Sequence, residues 1–227
     1  MKNIQHVFFD LDHTLWDFEK NSDLTFQKVF LEYDVAVDIT LFLKVYKPIN
    51  FKYWKLFREE KVTKKTLRFG RLKDSFDALN YSISEDLINV LAIKYLEFLS
   101  DYNHLFDGTF EILDYLKDKY KLHIITNGFQ EVQLLKLKNS GISNFFKTVT
   151  SSEEVGVKKP NPLVFETALQ KGNTKASQSI MIGDSFEADI LGALNIGMKA
   201  IFFGNYINDL EKNILQVDNL IHLKKYL

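Results

Sequence analysis

Short apolar runs alternate with amphipathic stretches over the second half of the chain. The apolar runs predict strands at 122–126, 146–150, 180–182 and 200–203, after a first strand at Ile4 to Phe9. Helical spacing is found at 109–119, at 130–139, after Pro162 and up to Gly197. Alternation of strands with helices is typical of right-handed βαβ units. The pattern therefore predicts an α/β fold with a Rossmann-like, doubly wound parallel sheet.

The residues between the first strand and residue 100 show helical periodicity without a strand pattern. Phe26, Val29, Phe30 and Tyr33 follow the i, i+3, i+4, i+7 spacing of a helix face. Further helices are predicted at 38–60, with an interruption near Pro48, at 63–79, and from Ser82 or Ser84 to Leu99. We therefore expect an all-helical cap domain at 17–100, inserted after the first strand of a core formed by 1–16 and 101–227.

Composition narrows the range of functions. The 227 residues carry a formal net charge of −1, which argues against a dedicated binder of nucleic acids. The sequence has no cysteine, which excludes a disulfide scaffold, a thiolate zinc site and a cysteine nucleophile. No apolar run approaches the roughly 18 residues of a membrane span, and the N-terminal run is too short for a signal peptide. A cytoplasmic protein without a membrane partner is expected.

Asp10 and Asp12 directly follow the first apolar run. Side chains alternate along a strand, so these two carboxylates are expected to share one face. Two close carboxylates repel unless a cation or a proton lies between them, and hard oxygen ligands suit Mg²⁺. The pattern indicates a divalent metal site, although Asp-x-Asp by itself is also compatible with a polar turn.

The next strand ends in Thr126, Asn127 and Gly128. Asn-Gly is usually a hairpin turn, but here a helical pattern follows instead of a partner strand. A hydroxyl group with free backbone N–H groups at a helix N-terminus favours phosphate binding.

Two later segments carry further charged candidates. Lys159 precedes Pro160, which favours an extended backbone and a fixed ammonium group, whereas a lysine in a loop is more often merely solvated. Asp184 follows the strand at 180–182, as Asp10 follows the first strand. Asp189 lies in the first turn of the next helix, where it could equally complement the helix dipole.

Together these segments resemble a known family. The segments D-L-D-H-T at Asp10 to Thr14, T-N-G at Thr126, K-P at Lys159 and G-D-S-x-x-x-D at Gly183 to Asp189 are similar to the four motifs of the haloacid dehalogenase superfamily. The helical insertion resembles that family's cap. The longer string DLDHTLWDFEKNS resembles the bacterial pyrimidine 5′-nucleotidase branch.

The resemblance implies a role for each motif. Asp10 would be the nucleophile that forms an aspartyl-phosphate, and Asp12 the general acid and then the general base. Lys159, rather than Lys158, would steady the nucleophile and the phosphoryl group. Phosphoryl oxygens would be bound by the segment Thr126, Asn127 and Gly128, and Mg²⁺ by Asp10, the backbone carbonyl of Asp12, Asp184 and, through water, Asp189.

The resemblance further implies a Mg²⁺-dependent phosphomonoesterase for small nucleoside 5′-monophosphates. Asp12 favours a phosphatase over a dehalogenase, because an alkoxide leaving group needs a proton and a halide does not. Trp16 and Phe18 are candidates for stacking on a base, although aromatic residues near a helical cap are more often core. Alternatives are a phosphatase for a sugar phosphate or other small metabolite, a phosphoglucomutase-like phosphotransferase, and a regulatory module. The oligomeric state, monomer or dimer, stays open.

Overall fold

The computed structural model describes residue 1, residues 3–205 and residues 214–227. It divides the chain into two compact units. Met1–Phe18 and Asn103–Leu227 form the first, called the core unit below, and Glu19–Tyr102 form the second, called the cap unit. Among the described residues, none of the helices combines the length and the apolar character that crossing a bilayer requires.

The cap unit is helical throughout. Its main helices are α1 (Phe18–Glu32, which starts one residue before the unit), α2 (Ile39–Arg58), α3 (Lys64–Ala78) and α4 (Glu85–Phe98). The side chains of Asp38, Thr63 and Ser84 accept backbone N–H bonds at the starts of α2, α3 and α4. Such capping satisfies donors that a helix leaves unpaired at its first turn.

Helix α2 runs through Pro48, so the expected interruption at this residue is wrong. Proline lacks an N–H group and removes one backbone hydrogen bond from a helix. Tertiary packing outweighs this loss, because Phe42 and Tyr46 of α2 are buried and their rings contact the ring of Phe26.

The core unit is built on a parallel sheet. Its strands are β1 (His6–Phe9), β2 (Lys121–Thr126), β3 (Phe146–Ser151), β4 (Ser179–Gly183), β5 (Lys199–Phe203) and β6 (Leu215–Val217). They are ordered β3-β2-β1-β4-β5-β6, and every neighbouring pair is parallel. The order reverses between β1 and β4. The predicted doubly wound α/β fold is confirmed, and β6 adds a strand outside those predicted.

Helices connect these strands. They are α5 (Thr109–Lys117), α6 (Gln130–Asn139), α7 (Ser152–Val155), α8 (Pro162–Gly172), a π-helical turn (Phe186–Leu191) and α9 (Gly192–Asn195). Gly141, just beyond α6, has a φ of 75° and ends that helix as predicted. The single helix expected up to Gly197 is instead the π-helical turn followed by α9. One apolar cluster packs α8 against the sheet, and it includes Phe8, Ile125, Val164, Phe165 and Met181.

Candidate active site

The ends of β1, β2 and β4 bring predicted site residues to one edge of the sheet. Phe9 pairs with both β2 and β4, and the backbone N–H of Asp10 donates to the carbonyl of Ile182 at 2.9 Å. Asp10, Thr126 and Asp184 therefore lie at the carboxyl edge, next to the reversal of strand order. Ligands bind at this place in doubly wound sheets.

Lys159 is a buried cation at this edge, with 2% of its surface exposed. Its ammonium group lies 2.6 Å from Asp10 Oδ1 and 2.6 Å from Asp189 Oδ1, and it donates to the carbonyl of Ile125 at 2.8 Å. All three ammonium protons thus have acceptors. Burial alone would lower the pKa of Lys159, but the charges of Asp10 and Asp189 outweigh it and raise the pKa above its ordinary value.

Three carboxylates lie close together at this edge, and two of them contact Lys159. One oxygen from each of Asp10, Asp184 and Asp189 lies within 4.8 Å of the others. Burial raises the pKa of Asp10 well above its ordinary value, against the opposing charge of Lys159. Burial and the charge of Asp189 raise the pKa of Asp184 to about 7. One ammonium group cannot offset three carboxylates, so the cluster has the excess negative charge and the hard oxygen donors that suit Mg²⁺.

The π-helical turn holds Asp189 against the end of β4. The backbone N–H of Ser185 donates to Asp189 Oδ2 at 3.0 Å, while Ser185 Oγ accepts from the backbone N–H of Ala188 at 3.2 Å. A Cβ atom on Gly183 would lie 2.3 Å from Asp189 Oδ2, so this strand end needs glycine for the carboxylate to approach. Turns of this type recur at functional sites.

Asp12 has a separate set of partners on α6. Its Oδ1 lies 2.5 Å from the ammonium group of Lys136, and its Oδ2 accepts from Gln133 Nε2 at 2.9 Å. The Asp12 side chain is therefore held beside the acid cluster rather than within it.

The loop after β2 is held by hydrogen bonds of Thr126 and of Asn127. Thr126 Oγ1 accepts from the backbone N–H of Gly128 at 3.1 Å and from Gln133 Nε2 at 2.7 Å. The side chain of Asn127 accepts from the backbone N–H of Lys159 at 2.8 Å and donates to its carbonyl at 3.0 Å. Asn127 thus links the second motif to the backbone that carries the buried lysine.

The two aromatic candidates are both buried, Trp16 completely and Phe18 almost completely. The Lys136 ammonium group lies 4.1 Å from the ring centroid of Trp16 and 5.3 Å from that of Phe18. These rings form cation–π contacts within the core unit. Stacking of either ring on a substrate base stays a prediction.

Three residues at the site were given no role by the sequence analysis. Thr14 donates its hydroxyl proton to Asp184 Oδ1 at 3.3 Å, and Gln133 and Lys136 contact Asp12. Thr14 lies within the first motif, so its position was a usable signal. Gln133 and Lys136 share one face of α6 at i, i+3, but the sequence does not show which face of that helix meets Asp12.

A family model for haloacid dehalogenase-like hydrolases matches residues 7–203. The chain belongs to this family. Like the motif spacing, the match includes both the strand ends of the core unit and the helical insertion.

Individual members of the haloacid dehalogenase-like hydrolases are similar over most of their length. The pyrimidine 5′-nucleotidase YjjG of Escherichia coli is 34% identical over 196 residues, which are 85% of this chain and 82% of the relative. The glyceraldehyde 3-phosphate phosphatase of Methanothermobacter thermautotrophicus is 34% identical over 222 residues, 96% of this chain and 93% of the relative. The crystal structure of the HAD-hydrolase YfnB of Bacillus subtilis, described as bound to magnesium, has a TM-score of 0.88 at 27% identity and covers 99% of this chain and 98% of its own.

Proposed function

We propose that this protein is a Mg²⁺-dependent phosphomonoesterase that acts through an aspartyl-phosphate on Asp10. The observation that carries the proposal is the buried Lys159 ammonium group, held 2.6 Å from both Asp10 and Asp189 with Asp184 beside them. Phosphoryl transfer depends mainly on positioning and on charge neutralisation, and this cluster is suited to both.

Five residues at this edge of the sheet have a role in the proposed bond-making and bond-breaking steps. An oxygen of Asp10 attacks phosphorus, and Asp12 donates a proton to the leaving alkoxide. Asp12 then takes a proton from the water that hydrolyses the aspartyl-phosphate. Lys159 neutralises charge on Asp10 and on the transferred phosphoryl group, whose oxygens are bound by the Thr126 hydroxyl and the Asn127 N–H.

The acid cluster is the proposed magnesium site. Asp10 and Asp184 would hold the ion, with the backbone carbonyl of Asp12 and, through water, Asp189. Their oxygen atoms match the preference of this ion. Burial, and then the neighbouring acids, raise the pKa values of Asp10 and Asp184, and a bound cation would stabilise the ionised forms of both. Bound Mg²⁺ would reduce the repulsion between a carboxylate nucleophile and an anionic ester.

Nucleoside 5′-monophosphates with a pyrimidine base are the substrates we propose first. The similarity to the E. coli nucleotidase, 34% over 82% of that relative, supports this choice, as does the sequence that follows Asp10. Small sugar phosphates are the second candidate, because the archaeal glyceraldehyde 3-phosphate phosphatase is equally similar over 93% of its length.

Phosphate release from a panel of esters tests the proposal. Purified protein is assayed with UMP, dUMP, dTMP and glyceraldehyde 3-phosphate, with Mg²⁺ and with a chelator. We expect Mg²⁺-dependent hydrolysis with the highest kcat/KM on a pyrimidine nucleotide. Asp10→Asn should abolish turnover while circular dichroism stays that of the folded protein. Turnover by folded Asp10→Asn would refute the nucleophile, and preference for the sugar phosphate would favour the second candidate.

A further inference from the structure

Both carboxylate oxygens of Asp12 are occupied by donors from one helix. Lys136 contacts Oδ1 at 2.5 Å and Gln133 contacts Oδ2 at 2.9 Å, and the two residues are three positions apart on α6. Residues at i and i+3 lie on the same face of a helix. Two side chains of α6 therefore donate hydrogen bonds to the two oxygens of one carboxylate. These two bonds restrict rotation of the Asp12 carboxylate.

The donors are themselves fixed. Gln133 is 1% exposed, and the same Nε2 that contacts Asp12 also donates to Thr126 Oγ1 at 2.7 Å. Lys136 is 2% exposed, with its ammonium group against the rings of Trp16 and Phe18. A buried ammonium group needs compensation for lost hydration, and a carboxylate at 2.5 Å with an aromatic face provides it. Partners fixed in this way can hold a functional carboxylate such as that of Asp12 in one orientation.

We infer that Gln133 and Lys136 are positioning residues that orient the Asp12 carboxylate for hydrolysis of the aspartyl-phosphate. The inference rests on the proposed function. Both partners donate hydrogen bonds to Asp12, so its two oxygens are held in fixed directions relative to the attacking water.

The step is the second half of the proposed reaction. The water oxygen forms a bond to phosphorus as the bond between phosphorus and the Asp10 oxygen breaks. One water proton passes to Asp12, inorganic phosphate leaves, and Asp10 returns as a carboxylate. Formation of the aspartyl-phosphate from para-nitrophenyl phosphate needs no proton from Asp12, because para-nitrophenolate departs as an anion. Misorientation of Asp12 should therefore slow only the second half with this substrate.

Pre-steady-state kinetics with para-nitrophenyl phosphate and Mg²⁺ test this inference. In Lys136→Met we expect kcat to fall about 10- to 100-fold, the cost typical of a misplaced catalytic group. KM should fall in parallel, so that kcat/KM changes by less than about threefold. A burst of para-nitrophenol close to one per active site should precede the slow turnover. Gln133→Met should likewise lower kcat and leave kcat/KM nearly unchanged, and it does so without removing a charge. The inference can therefore be tested even if one of the two variants misfolds.

Lys138→Met is the matched control, because Lys138 is exposed on the same helix. It should keep wild-type kcat and show no new burst. Equal losses of kcat and kcat/KM in folded Lys136→Met and Gln133→Met would assign them a structural or phosphoryl-binding role and overturn the inference, as would unchanged kcat in both. A wild-type protein without phosphatase activity would instead overturn the proposed function, and the inference with it.

Discussion

The two units each bury a cation, and they surround it differently. Lys159 in the core unit and Arg71 in the cap unit are both 2% exposed. Lys159 contacts two carboxylates at 2.6 Å. Arg71 donates to the amide oxygen of Asn50 at 2.8 Å and lies 5.0 Å from the ring of Tyr95. Within the described ranges 1, 3–205 and 214–227, no carboxylate forms an ion pair with Arg71.

The difference separates the charge cluster for which we propose a catalytic role from a structural one. In the core unit the single ammonium group of Lys159 is accompanied by three acids, so the cluster has an excess of negative charge that a further cation would offset. In the cap unit the positive charge of Arg71 is stabilised by an amide oxygen and by aromatic rings, all of which are neutral groups. Removal of the core cation leaves buried carboxylates uncompensated, whereas removal of the cap cation leaves neutral groups.

Lys159→Met should have the largest effect. We expect kcat/KM on para-nitrophenyl phosphate to fall about 10³-fold, because the charge on the proposed nucleophile Asp10 and on the phosphoryl group loses its neutralising partner. Steady-state assays at saturating Mg²⁺ measure this loss, and near-ultraviolet circular dichroism in the same buffer checks the fold.

Lys158→Met is the control for that variant, since Lys158 is the adjacent lysine and is partly exposed. Its activity should stay within about twofold of wild type, as for most surface changes. If folded Lys159→Met keeps activity and Lys158→Met loses it, the assignment of the buried lysine is wrong.

Arg71→Met should have a smaller effect, and on stability. The variant loses the hydrogen bond to Asn50 and the ring contacts but leaves no unpaired acid, so we expect the free energy of unfolding to fall by about 2 kcal/mol. That is below the roughly 3–5 kcal/mol that an uncompensated buried charge costs. Urea unfolding followed by circular dichroism measures it, with exposed Lys65→Met on the same helix as the control. A loss above about 4 kcal/mol would contradict the comparison, because it would match the cost of breaking a buried ion pair.

The fold was largely accessible from the sequence, because hydrophobic periodicity is a local property. The alternation of strands and helices predicted the sheet and most element bounds, including α6 at residues 130–139. The two failures have different causes. The three residues of β6 are too few for a periodic signal, and at Pro48 the packing of α2 overrides the intrinsic preference of proline.

The part of the candidate site that the motifs contain was accessible from the sequence. Asp10 and Asp184 follow buried strands, and the carboxyl edge of a doubly wound sheet brings such positions together. The contacts of Asp12 with Gln133 and Lys136 join residues 121 and 124 positions apart. They depend on how α6 is rotated about its axis against the sheet, which one sequence does not reveal.

The core unit also buries basic groups that carry no charge, and these extend the comparison. His123 on β2 lies 3.0 Å from His6 Nδ1 and 2.8 Å from Thr148 Oγ1, and the ring of Phe8 stacks on it. Burial, and then the neighbouring His6, lower the pKa of His123 to about 4. Burial also lowers the pKa of His6. Both rings are therefore neutral at pH 7.

The smallest expected effect is a dependence of stability on pH from this pair. An unfolded histidine takes up its proton near pH 6.5, and folded His123 does so near pH 4, so the unfolded state binds more protons between these values. Stability is retained above about pH 6.5 and falls as the pH drops through that window, by about 1 kcal/mol after solvent screening.

His123→Gln should lose less stability than wild type between pH 7 and about pH 4, whereas His104→Gln, at an exposed position, should follow wild type. Urea unfolding at each pH measures both differences, and equal slopes for wild type and His123→Gln would mean that the buried ring is already charged or accessible to solvent.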